Sequence, residues 1–269
     1  MVMLVTAIAL AILGLCLGSF VNALVWRIHV NKNWVKARSQ CPTCGHILSA
    51  RDLIPVISWL SLRGRCRYCG NKISWQYPIS ELGLSAVFMT SYYFWPGGLT
   101  STGPKILFIS WLISAVGLLA LFIYDLRWML LPSKILAATA LVAITGRLIY
   151  LIGFEPSKTE GLANWLLSIT VASGLFGLFY IISRGRWIGD GDISLGLITG
   201  TLLADPLRSF LMIFLASLIG TLVVLPAIIS GRRALGTRVA YGPFLILAAF
   251  IVLLFGDPFI DWYKALILV

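Results

Sequence analysis

Long apolar runs constrain this chain more than any other feature of its sequence. Eight segments are dominated by hydrophobic residues, and most approach the roughly 20 residues needed to cross a bilayer. They lie at about 3–25, 79–96, 105–125, 133–153, 162–183, 191–204, 207–230 and 240–263. Only 12% of the 269 residues are charged, about half the fraction in soluble proteins. Because lipid offers no partners to backbone groups, we expect an all-α polytopic membrane protein with about eight transmembrane helices. The short, Gly-rich sixth segment predicts a partial or tilted span.

The basic residues predict the orientation of these spans. Fifteen of the 21 Lys and Arg residues fall in four connecting segments, 26–78, 126–132, 184–190 and 231–239. Since basic residues accumulate in cytoplasmic loops, we place these segments inside and both termini outside. No basic residue precedes Arg27, so the first run is expected to be a signal anchor and not a cleaved signal peptide. Topology also accounts for the net charge of +11, and we expect no nucleic-acid partner.

Four of the five cysteines form two CxxC pairs in the first inside loop. They are Cys41, Cys44, Cys66 and Cys69. This spacing is typical of a zinc site. Four thiolates leave no open coordination position, so the zinc is predicted to be structural; four reduced thiols without metal are the alternative. The fifth cysteine, Cys16, lies in the first span and is expected to be a packing residue.

Two aspartates stand at the edges of apolar runs, where a charge is costly. Asp125 closes one run, and Asp192 ends a Gly189-Asp190-Gly191-Asp192 turn before another. Taken singly, Asp125 could pair with Arg127, and Asp192 or Asp190 could cap the helix that follows. The predicted topology puts Asp125 and Asp192 on the same side of the membrane. Two carboxylates brought together there could share one proton and activate water for peptide-bond hydrolysis.

Glu81 is the remaining acidic residue of interest, near the start of the second apolar segment. Our first expectation is that Glu81 is a buried, hydrogen-bonded structural residue. The second is that it belongs to a substrate or methyl-donor site.

Several motifs, in this order, resemble the type 4 prepilin peptidase family. They are Leu17-Gly18-Ser19-Phe20-Val21-Asn22 with Arg27, the cysteine loop with Ile54-Pro55-Val56, Tyr77-Pro78 before Glu81, Asp125-Leu126 before Leu131-Pro132, the GxGD element Gly189–Asp192, and Tyr241-Gly242-Pro243-Phe244. Two departures lie in the loop. Gln76 stands where the family commonly has Arg, and Ala50-Arg51 precede Asp52 where the family often has aromatic residues.

The resemblance implies a GxGD aspartic protease of the bacterial cytoplasmic (inner) membrane. Asp125 and Asp192 would be catalytic, and Gly189, Asp190 and Gly191 would form the active-site turn. The family cleaves the leader from type IV prepilins and type II secretion pseudopilins at the cytoplasmic face. Many members then N-methylate the new N-terminus with S-adenosylmethionine, and the cysteine loop is linked to that methylation.

The same resemblance suggests three domains: a first helix (1–25), a cytoplasmic zinc loop (26–78) and a transmembrane protease core (79–269). A prepilin leader is typically basic, so Asp190 and Glu81 are candidates to offset its charge. Besides the substrate, the expected partner is the lipid bilayer.

Two other functional classes remain open. A presenilin-like GxGD intramembrane protease would use the same aspartates but cut within a membrane span. A non-enzymatic scaffold or transporter with a zinc loop would use them as ion or proton ligands. The sequence leaves the oligomeric state open.

Overall fold

Apart from its loops, the chain is helical in the part that the structure, a computed structural model, describes: residues 2–34, 36–186, 188–231 and 239–267. The helices are α1 (Val2–His29), a short 3₁₀ turn (Ala50–Leu53), α2 (Ile57–Ser61), α3 (Gln76–Tyr93), α4 (Thr102–Trp128), α5 (Ser133–Gly153), α6 (Lys158–Ile169), a π-helical turn (Thr170–Gly174), α7 (Leu175–Ser183), α8 (Asp190–Leu203), α9 (Pro206–Ile229), α10 (Gly242–Phe255) and α11 (Asp257–Ile267). Within these ranges there is no strand, only two isolated β-bridges in the cysteine loop. The all-α prediction is confirmed. Arg232, Arg233 and Arg238, used to predict the orientation, lie outside the described residues.

Five helical stretches of the described chain are long and apolar enough to cross a membrane. They are Met3–His29, Thr102–Trp128, Ser133–Gly153, Lys158–Ser183 and Pro206–Ile229. The pair α10 and α11, bent by 74°, makes a sixth if it is one span. Helix α8 has 14 residues and so rises only about 21 Å, short of the roughly 30 Å hydrocarbon core. The multi-pass character is therefore established, whereas the count of eight spans stays a prediction.

The chain forms two compact units, Met1–Tyr93 and Phe94–Val269. In the first unit, α1 packs along α3 because small residues let the two backbones approach. A Cβ built at Gly14 would lie 2.6 Å from the Ser85 Cα atom. Asn22 of α1 adds a polar contact by donating to the Ser80 hydroxyl over 2.6 Å. Helix α3 thus packs with the first span, and the three-domain division, which begins the protease core at residue 79, stays a prediction.

Helix α8 is the buried centre of the second unit. It packs against α5, α6 and the π-helical turn. A Cβ at Gly196 would lie 2.5 Å from the Ala172 carbonyl oxygen, and the Ser168 hydroxyl donates to the Gly200 carbonyl over 2.7 Å. The close backbone approach buries most of residues 195–203, whereas the polar first turn of the helix stays partly exposed.

Cys16 does not pack against a neighbouring helix. It is exposed, because the face of α1 that meets α3 is the one carrying Gly14 and Gly18, and a residue two positions from Gly14 points to the opposite side. The prediction of a packing role is wrong.

We expect Gly14→Ala to destabilise the first unit by about 1–3 kcal/mol, because the new methyl group meets α3 backbone that cannot move aside. The matched control is Gly83→Ala in α3, where a Cβ meets nothing within 4 Å and Ala is the better helix former. Thermal unfolding in detergent checks both variants. Equal midpoints for Gly14→Ala and Gly83→Ala would contradict the α1–α3 packing.

Candidate active site and metal centre

Asp125 joins the end of α4 to the start of α10. It lies one turn before the last residue of α4 and is buried. Its Oδ2 atom accepts a hydrogen bond of 3.1 Å from the Gly242 N–H. That N–H is one of the donors that the first turn of a helix leaves without a partner, and Asp125 supplies the acceptor from a distant part of the chain.

The pairing of Asp125 with Arg127 that the sequence allowed is wrong. None of the ion pairs among the described residues involves Asp125. The Arg127 guanidinium instead lies 5.6 Å from the centre of the Trp128 ring.

Gly242 leaves no space for a side chain between α4 and α8. A Cβ built there would lie 2.6 Å from the Asp125 Oδ2 atom and 3.4 Å from a methyl carbon of Leu195. Leu195 follows Asp192 by one turn of α8. The start of α10 therefore fits between the two aspartate-bearing helices because it begins with glycine.

Asp192 lies in the first turn of α8 and not ahead of it. The helix begins at Asp190 with Gly189 as its N-cap, and the Asp192 carboxylate accepts the Gly189 N–H over 3.3 Å. The interpretation of Asp192 as the N-cap is therefore wrong. Gly191 faces the loop after α4, where a Cβ would lie 2.9 Å from Leu131. Asp190 is exposed at the same turn.

Three helix ends therefore meet: the end of α4 and the starts of α8 and α10. Asp125 and Asp192 are close enough for direct electrostatic interaction, as are Asp192 and Tyr241. Tyr241 is held by a 3.2 Å hydrogen bond shared with Ser217 and packs edge-on against Phe176. The sequence singled out both aspartates as candidates, whereas Tyr241 and Gly242 entered only as part of a family motif. A Gly-Pro pair at a helix start was the available signal.

The four paired cysteines form one cluster in the first unit. Their sulfur atoms all lie within 4.8 Å of one another, and the Cys41 and Cys69 Sγ atoms are 4.0 Å apart. Tetrahedral zinc with bonds of about 2.3 Å needs sulfur pairs about 3.8 Å apart, so the donor set fits. The two knuckles are built alike: Gly45, at φ +71°, and Gly70, at φ +70°, each donate to the carbonyl of the first cysteine over 2.9 Å.

Asp52 holds the cysteine loop together. Its carboxylate, 3% exposed, accepts from Arg67 Nε over 2.7 Å, from the Tyr68 hydroxyl over 2.9 Å and from the Ser49 hydroxyl over 2.7 Å. The Tyr68 ring in turn stacks on His46 of the first knuckle, with ring centres 3.6 Å apart. Burial opposes ionisation of Asp52, but the hydrogen bonds from Ser49, Arg67 and Tyr68 outweigh it and hold its pKa well below the usual range.

Glu81, a residue of α3, holds a turn of the loop that has a strained backbone. It is buried and accepts the Val56 N–H over 2.7 Å, and Ser19 of α1 hydrogen-bonds the same carboxyl group. Val56 has φ +59°, and Ile57 donates across it to Pro55. A positive φ is unfavourable for a β-branched residue. These contacts agree with the structural interpretation of Glu81, and the ligand-binding one stays a prediction.

Comparison with known proteins now identifies the family. Residues 12–95 match the Bacterial Peptidase A24 N-terminal domain, and residues 112–225 match the Type IV leader peptidase family. The first match covers the cysteine loop and Glu81, and the second covers both aspartates. The chain belongs to the type IV leader peptidase family.

Its curated relatives are enzymes named prepilin leader peptidase/N-methyltransferase. That of Bacillus subtilis (strain 168) is 29% identical over 94% of this chain and 96% of its own length. That of Pseudomonas aeruginosa (strain PAO1) is 27% identical over 94% of this chain and 91% of its own length. The enzyme of Myxococcus xanthus (strain DK1622) is 48% identical over 82 residues, 30% of this chain and 24% of its own length. No solved structure gives a significant match.

Asp52→Asn is expected to loosen the cysteine loop by about 1–3 kcal/mol, since it removes the charge that Arg67 and Tyr68 bind. The folded pKa of Asp52 lies below its unfolded value, so the stabilisation is complete above that unfolded value of about 4 and is lost as the pH falls further. The deficit of the variant should therefore be constant between about pH 5 and about pH 8. Amide hydrogen exchange of 49–53 and 66–70 measures it, with Arg51→Gln as the control. A deficit that grows steadily toward pH 8 would contradict this assignment.

Proposed function

We propose that this protein is a membrane aspartic endopeptidase that removes the leader peptide from type IV prepilins and type II secretion pseudopilins. The chain works in the bacterial inner membrane, with its N-terminus outside and its active site and cysteine loop at the cytoplasmic face. After cleavage it N-methylates the new N-terminus with S-adenosylmethionine. Family membership and the names of the relatives support both activities.

The observation that carries the peptidase proposal is the pair of carboxylates where three helices end. Asp125 and Asp192 come from helices separated by more than 60 residues, interact electrostatically, and each have one oxygen bound by a backbone N–H, from Gly242 and Gly189. Those two hydrogen bonds fix the carboxylates without consuming their second oxygens. In our proposal the pair shares one proton, as in aspartic proteases.

Cleavage then follows from the shared proton. The ionised carboxylate takes a proton from a water molecule, whose oxygen attacks the scissile carbonyl carbon. The protonated carboxyl group donates to the carbonyl oxygen as the tetrahedral intermediate forms. When that intermediate collapses, the C–N bond breaks and the carboxyl group that holds the water's proton transfers it to the leaving amine, while the other carboxylate takes a proton back from a hydroxyl of the intermediate as the C=O bond re-forms. Asp190, exposed at the same turn, offers its charge to a basic leader.

The cysteine cluster supports zinc as a structural ion held by Cys41, Cys44, Cys66 and Cys69. When bound, zinc would cross-link the two knuckles and supply folding energy to the loop. S-adenosylmethionine would supply the methyl group to the new amine. In our proposal, Glu81 positions the loop by accepting the hydrogen bond from the Val56 N–H.

Asp125→Asn and Asp192→Asn should each abolish cleavage and leave the fold intact, because the Asn carbonyl oxygen can still accept the same backbone N–H. Asp190→Asn is the matched comparison in the same turn: it should keep the maximal rate and raise only the KM, because its proposed role is to attract the basic leader. Mass spectrometry of a candidate prepilin, incubated with purified protein with and without S-adenosylmethionine, reports cleavage, its position and a methyl mass shift.

The competing classes predict other outcomes in the same experiment. A cut inside the apolar segment of the substrate would indicate a presenilin-like protease. The absence of any cut by the unaltered protein, with transport that depends on an ion gradient, would indicate a transporter. Full activity of either Asn variant would show that the aspartate it replaces is not catalytic.

Gly242→Ala should lower the cleavage rate by about 10-fold or more, since its methyl group meets the Asp125 carboxylate and small displacements of a catalytic group have effects of this size. Gly177→Ala in α7 is the control, because a Cβ there meets nothing within 4 Å. Initial rates of prepilin cleavage compare the two, with thermal midpoints to verify folding. Unchanged cleavage by a folded Gly242→Ala variant would mean that the position of Asp125 does not limit the reaction.

Replacing Cys66 and Cys69 together with Ser should abolish zinc binding and the methyl mass shift, while cleavage persists at a reduced rate. Cys16→Ser, outside the cluster and exposed, should keep the metal and both activities. Elemental analysis of the purified proteins gives the zinc content. A double variant that retained a full equivalent of zinc would exclude the proposed site.

A further inference from the structure

A short apolar face is left uncovered on the cysteine loop. Helix α2 carries Ile57 and Leu60, which are 63% and 61% exposed. Because residues three positions apart lie on one side of a helix, the two side chains form one surface, which we call the α2 face. Ile54, in the turn before it, is also exposed. Neighbouring exposed aliphatic side chains mark a contact surface, and in a membrane protein the depth of α2 decides what covers it.

Two contacts place α2 beside the start of α3. Val56, the N-cap of α2, donates its N–H to the Glu81 carboxylate over 2.7 Å. Three residues later, the centre of the Trp59 ring lies 4.2 Å from that of Trp75, the residue that precedes α3. Glu81 lies inside α3 and Trp75 lies before it, so α2 runs along the first turns of α3 in the opposite direction.

Helix α1 gives the depth of these contacts. It is a candidate span, and its first basic residue is Arg27. A Cβ built at Gly18 would lie 2.7 Å from the Glu81 Cα atom, and Gln76 donates to the Asn22 side chain over 3.0 Å. Gly18 and Asn22 precede Arg27 by about 14 Å and about 8 Å along the helix. Helix α2 therefore lies beside the apolar part of α1 and not beyond its basic end.

This depth matches the boundary between headgroups and acyl chains. A helix at that boundary buries its apolar face by about 5–10 Å. Trp75, at the outer end of α2, is 65% exposed, and tryptophan is enriched where membrane meets water. Arg63 and Arg65, both exposed just after α2, carry the positive charge that anionic headgroups attract. The surroundings of the α2 face thus have the chemistry of a lipid surface.

We propose that the α2 face enters the lipid bilayer and anchors the cysteine loop to the membrane. Its occupant is the acyl-chain region of the phospholipids next to α3. The anchor reaches the second knuckle through Trp59, whose indole N–H donates to the Ile73 carbonyl over 3.3 Å. The Ile73 N–H donates in turn to the Gly64 carbonyl over 2.7 Å, and Gly64 stands two residues before Cys66. Cleavage of a prepilin is not needed for this role.

The experiment uses the full chain in nanodiscs of phosphatidylglycerol and phosphatidylcholine. The photoreactive residue p-benzoylphenylalanine replaces Ile57 or Leu60, and mass spectrometry after illumination identifies what it has attached to. Fragmentation of a lipid adduct tells whether the acyl chain or the headgroup is attached. Thermal midpoints verify that each labelled protein is folded.

Two labelled positions serve as controls. Ile12, 56% exposed on the candidate span α1, is the position expected to meet acyl chains. Ile47, 53% exposed in the first knuckle, is the position expected to meet water. That knuckle is held at the basic end of α1, since Arg27 donates to the Ser39 hydroxyl over 3.2 Å and Leu48 donates to the Ser39 carbonyl over 2.9 Å.

Labels at Ile57 and Leu60 are expected to attach to acyl chains, as the label at Ile12 does, and the label at Ile47 is not. Cross-links from both α2 positions to protein alone would overturn the proposal, because the face would then be covered by protein. No lipid adduct at either position would overturn it as well, and so would an equal yield of acyl-chain adducts at Ile47.

Ile57→Ser combined with Leu60→Ser tests the same anchor without a bulky label. In nanodiscs, amide exchange of residues 58–64 should become faster by about 10-fold or more, because burial of one aliphatic side chain is worth at least that factor. Ile47→Ser removes a side chain of similar exposure and should leave this exchange unchanged. Equal exchange in the double variant and the unaltered protein would show that lipid does not hold α2.

Discussion

The hydrogen bond from Gly242 to Asp125 joins two helices through residues that are 117 positions apart in sequence. It satisfies a donor at the start of α10 that lipid could not satisfy, and it holds a buried carboxylate at the end of α4. Because a Cβ built at Gly242 would also lie 3.4 Å from Leu195 of α8, the same junction brings the helix of Asp192 close to that of Asp125. The proposed active site is thus a consequence of how three helix ends meet their backbone hydrogen-bonding requirements.

Close backbone approach recurs wherever these helices pack. Gly14 lets α1 approach α3, Gly196 lets α8 approach the π-helical turn, and Gly191 lets the GxGD turn approach Leu131. In lipid, moving an apolar side chain from the acyl chains to a helix interface gains little free energy. Helix association therefore relies on contact area and on short hydrogen bonds. Ser168 provides one such hydrogen bond, since its hydroxyl donates to the Gly200 carbonyl oxygen. Small residues therefore determine how closely these helices pack.

Polar chemistry is divided between the two units. The Met1–Tyr93 unit carries the cysteine cluster, organised by Asp52 and anchored to α3 through Glu81. The Phe94–Val269 unit carries the aspartate pair at one end of α4. We propose a structural metal for the thiolates and a peptidase site for the carboxylates.

Local features of the sequence were sufficient to predict the helical fold and the cysteine cluster and to single out Asp125 and Asp192 as candidates, because apolar length, CxxC spacing and the order of motifs are all properties of short segments. Those features could not tell whether Asp125 pairs with Arg127 or accepts from Gly242, since the second partner is remote in the chain. Nor could they show that Asp192 lies inside the first turn of α8, that Cys16 faces away from α3, or that α2 lies beside the start of α3. Only tertiary packing decided these points, because hydrogen bonds and helix contacts between distant segments depend on which ends meet in space, and lipid provides no alternative partner to a group that is left without one.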